Sequence, residues 1–313
     1  MELNFPDGWF DAEERDGFLI SEEMKRAWAA QLETLKVISD ICDQYGFHYF
    51  AYWGTLLGAV RHQGFVPWDD DMDIGMLRQD LTRFLSIAKE VLPEGYYIRS
   101  WQNDPHTDQI IVRVINGDKI DFSKEHLDKY HGCPYAVGID IFPIDWIPDD
   151  EEEYELQIQL LDMAMAVGNA WENDEVCIAD KRYLTVETEK VTGYHFDETG
   201  NMKTQSTQLV DAISAMYGPS DTNSLGIPVR GTYTIDQRLP KECFTTLIMQ
   251  PFEFTKIPIP IGYHEILTRY YGDYTVKRQY ESHDYPFFKD QKEILEKYIS
   301  DNHLTKKDLL GWE

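Results

Sequence analysis

The chain has 313 residues, 42% of them hydrophobic and 13% aromatic, which is enough to bury a large core. Its formal net charge of -27 argues against non-specific nucleic-acid binding and against an anionic membrane surface. No apolar run approaches the roughly 20 residues of a membrane span, and the acidic first residues do not resemble a signal peptide. The cysteines lie far apart, which favours reduced thiols over a disulfide framework or a zinc site. We therefore expect a soluble cytoplasmic protein without stable membrane insertion.

The first predicted element is a long amphipathic helix. Ser21 is a suitable N-cap, apolar residues then recur at helical spacing, and Gly46 is a suitable stop. The aromatic-rich segment 47–53 predicts a strand that ends at Gly54-Thr55. A short helix over 56–61 follows, and its N-terminus would offer free N–H groups and a partial positive charge to a phosphate.

An unusual acidic stretch follows a Pro-Trp corner. Four aspartates lie within five residues, at Asp69, Asp70, Asp71 and Asp73. Asp71 and Asp73 are two apart in a predicted strand over 71–76, so both would leave the same face and form a site for a hard cation such as Mg²⁺. We expect Asp69 and Asp70 to shape the corner or support the ligands. A solvated acidic loop is the alternative, but the apolar residues that follow favour a buried strand.

The middle of the chain predicts a helix over 78–92 and short strands over 96–100, 109–115 and 119–122, the last two joined by a hairpin turn at 116–118. In the later segment 136–145, Val137, Ile139 and Ile141 predict a buried strand, and Asp140 lies in the middle of it. A carboxylate in such a strand is costly unless a cation or hydrogen bonds meet it. Asp145, beyond Pro143, is predicted to lie in a loop, where it could cap the next element.

The remaining pattern is helical over 151–174 and largely helical over 181–217, and it then returns to short strands. Those strands are predicted at 233–235 and 252–257, followed by helices at 263–271 and 294–299. We divide the chain into a catalytic core with an N-terminal helix (1–148), a helical region (149–222) and a C-terminal part that returns to the core (223–313).

Three motifs carry a family resemblance. GTLLGAVRHQGFVPWDDDMDIGM, then GIDIFPID, then IPIGYHEILTRYYGDY with His283 downstream, resemble the LicD family in order and spacing. That family includes bacterial phosphocholine transferases and, more distantly, fukutin and fukutin-related protein, which are ribitol-phosphate transferases. The resemblance covers roughly residues 25 to 285. It implies an α+β nucleotidyltransferase fold, a mixed sheet flanked by helices with a mostly helical insertion.

The resemblance also implies the chemistry of the site. Asp71, Asp73 and Asp140 would hold Mg²⁺, with Mn²⁺ as an alternative, and Asp140 would act as general base or complete the metal shell. Gly54-Thr55 and the following helix N-terminus would hold a phosphate. The substrates implied are a CDP-linked donor of phosphocholine, or of a related alcohol or polyol phosphate, and a hydroxyl of a surface-glycan sugar. The zinc-binding cysteines of fukutin-related protein have no evident counterpart here.

Further contacts to the donor are predicted from residue chemistry. Arg61 and Arg113 would neutralise charge on the leaving nucleotide, a role that suits the guanidinium fork. His62 and His283 are predicted phosphate contacts, although a lone histidine is as often structural. Aromatic residues near the turn would surround a quaternary ammonium by cation–π contact; they are Tyr52, Trp53 and Trp68.

Two other functions remain open on the sequence. A glycosyltransferase that uses Mn²⁺ and a nucleotide sugar would explain the aspartate pair but not Asp140 or the Gly-Thr turn. A calcium-stabilised or glycan-binding module is the non-catalytic alternative. The spacing of Asp69, Asp71 and Asp73 mimics the start of an EF-hand loop, but Ile74 and Asp80 stand where that loop needs Gly and Glu. The head group, the acceptor and the oligomeric state are not specified.

Overall fold

The computed structural model describes residues 1–102, 110–231, 235–279 and 285–312, without the side chains of residues 230 and 231. The predicted class, α+β with a mixed sheet flanked by helices, is confirmed. The strands are β1 (Glu13–Arg15), β2 (Phe18–Ile20), β3 (Phe50–Ala51), β4 (Asp73–Leu77), β5 (Tyr97–Arg99), β6 (Val112–Ile115), β7 (Gly138–Ile147), β8 (Ser224–Gly226), β9 (Leu239–Pro240), β10 (Leu247–Phe252) and β11 (Thr255–Pro260).

The helices surround this sheet and form a separate group in the middle of the chain. They are α1 (Glu22–Tyr45), α2 (Trp53–Arg61), α3 (Arg78–Val91), α4 (Lys124–Lys129), α5 (Glu151–Glu172), α6 (Ile178–Thr192), α7 (Met202–Ser214), α8 (Pro228–Gly231), α9 (Tyr263–Tyr271), α10 (Lys289–Asp301) and α11 (Lys306–Leu310), with a 3₁₀ turn at Lys241–Phe244. Among the described helices, none has both the length and the apolar character required to cross a bilayer.

The central sheet has the strand order β3-β4-β7-β6-β5. β4 and β7 run parallel, whereas the other neighbours on this path are antiparallel. The distal end of the long strand β7 pairs with β8, which in turn pairs with β9. The strand β7 therefore connects the sheet that carries the acidic residues to the C-terminal part of the chain.

Helix α1 has the predicted ends. The Ser21 hydroxyl accepts a hydrogen bond from the Met24 N–H, and Gly46 closes the helix in the left-handed conformation. Its inner face packs into the main core; Trp28, Leu32 and Leu35 are fully buried there. Burial of each such side chain stabilises the fold by about 2 kcal/mol, so α1 is a firm support for what lies against it.

The middle helices form their own packed group. Helix α5 packs against α6 and α7, and Leu161, Ala164, Leu209, Val210 and Ile213 belong to an apolar cluster apart from the main core. This agrees with the helical prediction for residues 149–222, while the three-part division itself stays a prediction. All four cysteines are free, as expected.

Some predicted elements are wrong at their boundaries. Residues 119–122 form no strand, because Asn116 hydrogen-bonds to Val137 through both its backbone N–H and its side chain and so leads the chain away from β6. The strand predicted over 252–257 is two strands, β10 and β11, that meet at a turn. Asp145 lies within β7 and not in a loop. The predicted strands at 109 and 233–234 extend into positions outside the described residues.

Candidate active site

The site is built on a row of residues that crosses three strands. Asp73 on β4 lies directly opposite Asp140 on β7, and Asp140 lies directly opposite Arg113 on β6. Paired residues on neighbouring strands project from the same face of a sheet. The next row, with Ile74, Ile141 and Val112, is buried on the other face. The alternation along the strands therefore places two carboxylates and a guanidinium together on the accessible face.

The segment that leads into β4 brings further carboxylates to this row. The predicted strand over 71–76 in fact begins at Asp73, so Asp71 lies in the preceding extended segment. One carboxylate oxygen from each of Asp69, Asp70 and Asp71 lies within 4.8 Å of the other two. Asp71 is open to solvent and Asp73 is partly buried.

Crowding changes the protonation of these groups. Burial, together with the charges of Asp71 and Asp140, raises the pKa of Asp73 well above its usual range. Burial and the charge of Asp71 likewise raise the pKa of Asp69. Although Asp71 is solvent-accessible, the surrounding protein removes enough water to raise its pKa, partly opposed by a hydrogen bond with Asp69. The raised pKa values show that these carboxylates repel one another when ionised, and a bound cation would relieve that repulsion.

These residues fit a hard divalent cation. Asp69, Asp70 and Asp71 supply carboxylate oxygens, the ligands that Mg²⁺ and Mn²⁺ prefer, and hold them close together against their mutual repulsion. Among the described residues, Asp73 and Asp140 are not part of that close group but lie on the adjoining row of the sheet. Asp71, Asp73 and Asp140 are the residues that would hold it, with Asp69 beside them. Identification of the ligands from the sequence stays a prediction.

Arg113 occupies a central place in the cluster. It forms a two-pronged ion pair with Asp140, in which its Nε donates to Oδ1 and its Nη2 lies 2.6 Å from Oδ2. This pair raises the pKa of Arg113, and the charges of Asp71 and Asp73 act in the same direction. The aliphatic part of Arg113 passes over Gly138, where an added Cβ would lie 2.8 Å from Arg113 Cδ. Gly138 thus leaves the space that lets Arg113 reach Asp140.

Helix α1 and the C-terminal segment fix the acidic loop. The Trp28 indole N–H donates to the Asp69 carbonyl at 3.1 Å, and the Gln31 amide donates to the Asp70 carbonyl at 2.6 Å. The Asp70 carboxylate is buried and accepts the Phe287 N–H at 2.5 Å. Asp70 therefore ties the loop to residues that are distant in the sequence, in agreement with its expected role in shaping the corner.

The Gly54-Thr55 turn lies in the first turn of α2, because the helix begins at Trp53, earlier than predicted. The Thr55 hydroxyl accepts the Asp73 N–H at 2.8 Å, which fixes the start of β4. A Cβ on Gly54 would lie 2.2 Å from Asp69 Oδ2, so only glycine leaves room for that carboxylate. Trp53 has a φ of 40°, a strained conformation for a bulky residue that the surrounding contacts impose.

A cleft of about 140 Å³ opens beside these residues. Gly54 and Asp69 line it on the side of the carboxylates, and Arg61 and Arg278 line it as well. The Arg61 guanidinium donates to the carbonyls of Tyr274 and Val276 at 3.2 and 3.3 Å, so these contacts help to fix its position. Trp68, Tyr271 and Tyr274 add aromatic walls. The cleft therefore has positively charged and aromatic side chains in its walls and borders the acidic cluster at Asp69.

Other predicted contacts do not reach this cleft. The prediction that Tyr52 meets a head group is wrong for this structure, because its ring is fully buried and its hydroxyl hydrogen-bonds to Tyr270 at 2.7 Å. Trp53 packs on Tyr270 and Phe142 as part of the core surroundings. The His62 side chain is almost entirely buried, and burial and the Arg61 charge lower its pKa to about 4, so it is neutral at pH 7.

His283 lies outside the described residues.

Sequence reasoning missed Tyr271. Tyr271 lines the cleft together with Gly54 and Asp69. Burial raises the pKa of its hydroxyl, and the charges of Asp69 and Asp73 raise it further. In the sequence, Tyr271 is distinguished only by its position in the third family motif. It is the last residue of α9, and the helical pattern does not show whether such a residue packs in the core or faces a site. Two adjacent tyrosines before a helix-ending glycine are interpreted as core residues unless the tertiary fold is known.

Comparison with known proteins agrees with this geometry. The family model described as "LicD/FKTN/FKRP, nucleotidyltransferase domain" matches residues 46–154, which contain the α2 turn, the acidic loop and Asp140. Over these residues the chain resembles the LicD family. It is 27% identical over 249 residues to the lipopolysaccharide cholinephosphotransferase LicD of Haemophilus influenzae, across 78% of this chain and 88% of that protein.

Shorter stretches of the chain match other proteins. The ribitol 5-phosphate transferase FKRP of Homo sapiens is 37% identical over 49 residues, which is 16% of this chain and 10% of that protein. An uncharacterized protein of Rickettsia typhi is 51% identical over 51 residues, 15% of this chain and 16% of its own. The predicted resemblance to the LicD family is confirmed. The two relatives that are named transferases support the predicted enzyme class, a transferase.

Proposed function

We propose that the protein transfers phosphocholine, or a related alcohol or polyol phosphate, from a CDP-linked donor to a sugar hydroxyl of a surface glycan. One observation carries the proposal: Asp73 and Asp140 lie opposite each other on neighbouring strands, with Arg113 completing the row. The similarity to a lipopolysaccharide cholinephosphotransferase supports phosphocholine as the first donor group to test.

In this proposal Asp71, Asp73 and Asp140 hold Mg²⁺ or Mn²⁺. The cation held by these carboxylates would supply positive charge against the charge that develops on the donor phosphates during transfer. The first turn of α2 lies beside Asp69 at Gly54, so its N–H groups would hold a phosphate oxygen there. The Thr55 hydroxyl accepts from Asp73, which leaves its proton to donate to that phosphate.

The donor nucleotide would lie in the cleft beside α2. Arg61 and Arg278 supply positive charge for the diphosphate and for the departing CMP. The walls formed by Trp68, Tyr271 and Tyr274 suit a quaternary ammonium, which aromatic faces attract. The Tyr271 hydroxyl would donate to a donor phosphate oxygen beside Asp69 and Asp73.

The transfer exchanges one phosphate bond for another. The acceptor hydroxyl attacks the phosphorus that carries the head group, forming a phosphodiester and breaking the anhydride bond to CMP. Asp140, on the row next to Asp73, takes the proton of that hydroxyl. Arg113 compensates the negative charge of Asp140 and would neutralise the phosphoryl oxygens as the bond breaks.

The test is release of CMP by the purified protein with Mg²⁺ and a glycan acceptor. CDP-choline, CDP-ribitol and CDP-glycerol are compared, with UDP-hexoses and Mn²⁺ as the arm for a glycosyltransferase. Asp128→Asn on exposed α4 is the charge-matched control for Asp73→Asn. We expect turnover of a CDP-linked donor by the wild type and the control but not by Asp73→Asn. No turnover of any CDP-linked donor would refute the proposal, and hexose transfer from UDP would replace it.

A further inference from the structure

We propose that Arg99 and Arg113 form a shelf that binds an anionic group, phosphate or carboxylate, on the acceptor sugar. The inference rests on the proposed function, because it assigns the second substrate of the same site. It adds a residue, Arg99, that neither the sequence motifs nor the comparisons single out. It also states a property of the acceptor: the accepting sugar, or its neighbour in the glycan, is charged.

The geometry extends the row of site residues by one strand. Arg99 on β5 lies directly opposite Arg113 on β6, just as Arg113 lies opposite Asp140. Neighbouring strands are about 4.8 Å apart, so Arg99 is roughly 10 Å from Asp140 at the backbone, within the reach of a sugar and its substituent. Arg99 is exposed on the same face. The row thus runs from Asp73 through Asp140 and Arg113 to Arg99.

Arg99 is the positively charged member of this row that forms no ion pair within the described part of the chain. Like charges directly opposite each other on adjacent strands destabilise a sheet. Asp140 compensates Arg113 through a two-pronged ion pair. No carboxylate among the described residues lies within ion-pair distance of Arg99. The formal net charge of the chain is -27, yet Arg99 is an exposed cation directly opposite a second cation, Arg113. Such a pair attracts an anion.

The shelf and the donor cleft lie on opposite sides of the carboxylates. The cleft is built on α2, which packs against β3 and β4 at one side of the sheet. Arg113 and Arg99 lie on β6 and β5, towards the other edge. A transferase must bring two substrates to one centre from different directions. Since the cleft suits the nucleotide donor, we assign the shelf to the acceptor.

The chemistry of the shelf fits a charged sugar. The guanidinium fork binds phosphate and carboxylate with paired hydrogen bonds. Tyr97, two residues before Arg99 and therefore on the same face, is exposed and offers an aromatic surface to a sugar ring. A neutral sugar would gain the contact with Tyr97 but would leave Arg99 without a partner.

The first experiment measures anion binding without turnover. Inorganic phosphate is titrated calorimetrically into the metal-free protein, its Arg99→Gln variant and a control, Arg83→Gln, which removes an exposed arginine on α3. We expect Arg99→Gln to weaken phosphate binding roughly tenfold, the loss of one charge-assisted contact, and the control to stay within about twofold. Phosphate affinity unchanged by Arg99→Gln, or absent from the wild type at about 10 mM, would overturn the inference.

The second experiment separates acceptor from donor. CDP with Mg²⁺ is titrated into the same three proteins, and glucose 6-phosphate, glucuronate and glucose are compared as ligands, to distinguish phosphate from carboxylate. Arg99→Gln should leave CDP affinity within about twofold and should weaken the charged sugars but not glucose. An equal loss for CDP would assign Arg99 to the donor and overturn the proposal. If no CDP-linked donor is turned over, the proposed function fails, while these titrations still decide the role of Arg99.

Discussion

Asp140 of β7 lies directly opposite Asp73 of β4, in a parallel strand pair at the centre of the sheet. Parallel neighbours in register place their side chains on one face, so two carboxylates are forced together in a partly buried place. Such an arrangement costs stability unless a positive charge meets it. Arg113 of the neighbouring strand β6 neutralises part of this charge through its ion pair with Asp140. The remaining negative charge is the physical basis of the proposed cation site.

Asp73→Asn should stabilise the metal-free protein. Burial and neighbouring charge raise the pKa of Asp73 in the folded protein above its value in the unfolded chain. The protonated carboxyl therefore stabilises the fold at pH values below the unfolded-state pKa, and this stabilisation is lost as the pH rises through the folded-state pKa. At pH 7 the metal-free wild type therefore carries a penalty that the neutral Asn avoids. We expect a gain of about 1 kcal/mol in the free energy of unfolding. Urea denaturation with EDTA, from pH 5 to 8, measures it.

The same series provides the control for this prediction. Asp128→Asn, on the surface of α4, should change neither the stability nor its dependence on pH. Added Mg²⁺ should stabilise the wild type more than Asp73→Asn. A variant less stable than the wild type in EDTA would show that Asp73 is a structural hydrogen-bond acceptor and not a charge held for a cation.

Arg113→Gln should separate metal binding from turnover. The guanidinium engages Asp140 and competes with a cation for that carboxylate. Its removal should tighten Mn²⁺ binding, measured by calorimetry, while CMP release falls by roughly tenfold or more because charge on the phosphoryl oxygens is no longer neutralised. Weaker Mn²⁺ binding by the variant would mean instead that Arg113 orients Asp140 as a ligand.

Gly54→Ala should impair the site without weakening the fold. The added Cβ would lie 2.2 Å from Asp69 Oδ2, so the carboxylate must move, whereas Ala in a helical turn does not destabilise it. We expect CMP release to fall by roughly 100-fold, the cost of displacing site groups by about 1 Å, with an unchanged melting temperature. Gly117→Ala is the matched control, since its Cβ would meet a carbonyl oxygen at an ordinary 3.5 Å. Equal activity in both variants would contradict a role for the Gly54–Asp69 contact.

Arg78→Met should destabilise the whole protein. Arg78 binds both oxygens of the buried Asp145 at 2.6 and 2.8 Å and reaches Asp211 of α7 at 2.7 Å. Removing it leaves Asp145 buried and unpaired, which should cost about 3–5 kcal/mol in the free energy of unfolding. The double variant Arg78→Met/Asp145→Leu should recover most of this loss. Single and double variants of equal stability in urea denaturation would show that the pair is not what matters.

Tyr271→Phe should slow the reaction with little effect on folding. Tyr271 lines the cleft with Asp69, and burial raises the pKa of its hydroxyl, which is therefore a proton donor at neutral and alkaline pH. Loss of one hydrogen bond to a charged phosphate should lower kcat by roughly tenfold. Tyr183→Phe, on the exposed face of α6, is the control. If kcat falls equally in both variants, or in neither, Tyr271 does not contact the donor.

Local sequence patterns predicted much of the framework. The ends of α1 followed from Ser21 and Gly46, since caps depend on neighbouring residues alone. Asp140 in a strand followed from the apolar residues around it, and the family motif linked it to the acidic loop. Residues 119–122 were mispredicted as a strand because their partner would have been β6, which pairs with β5 and β7 instead.

The rest depends on contacts between distant segments. β4 begins at Asp73 because the Thr55 hydroxyl binds its N–H, a contact that no local pattern reveals. Tyr52 was predicted near a ligand on its sequence position, but Tyr270 and the core enclose it. Arg99 has no signal of its own in the sequence. Its place opposite Arg113 appears only once the register of β5 and β6 is known.

The most direct test of the account is anomalous diffraction from crystals grown with Mn²⁺ and CDP-choline. We predict a metal peak contacted by Asp71, Asp73 and Asp140, with the diphosphate on the same ion and the nucleotide beside Arg61. A metal peak elsewhere, or CDP-choline bound away from Asp73 and Asp140, would contradict the account.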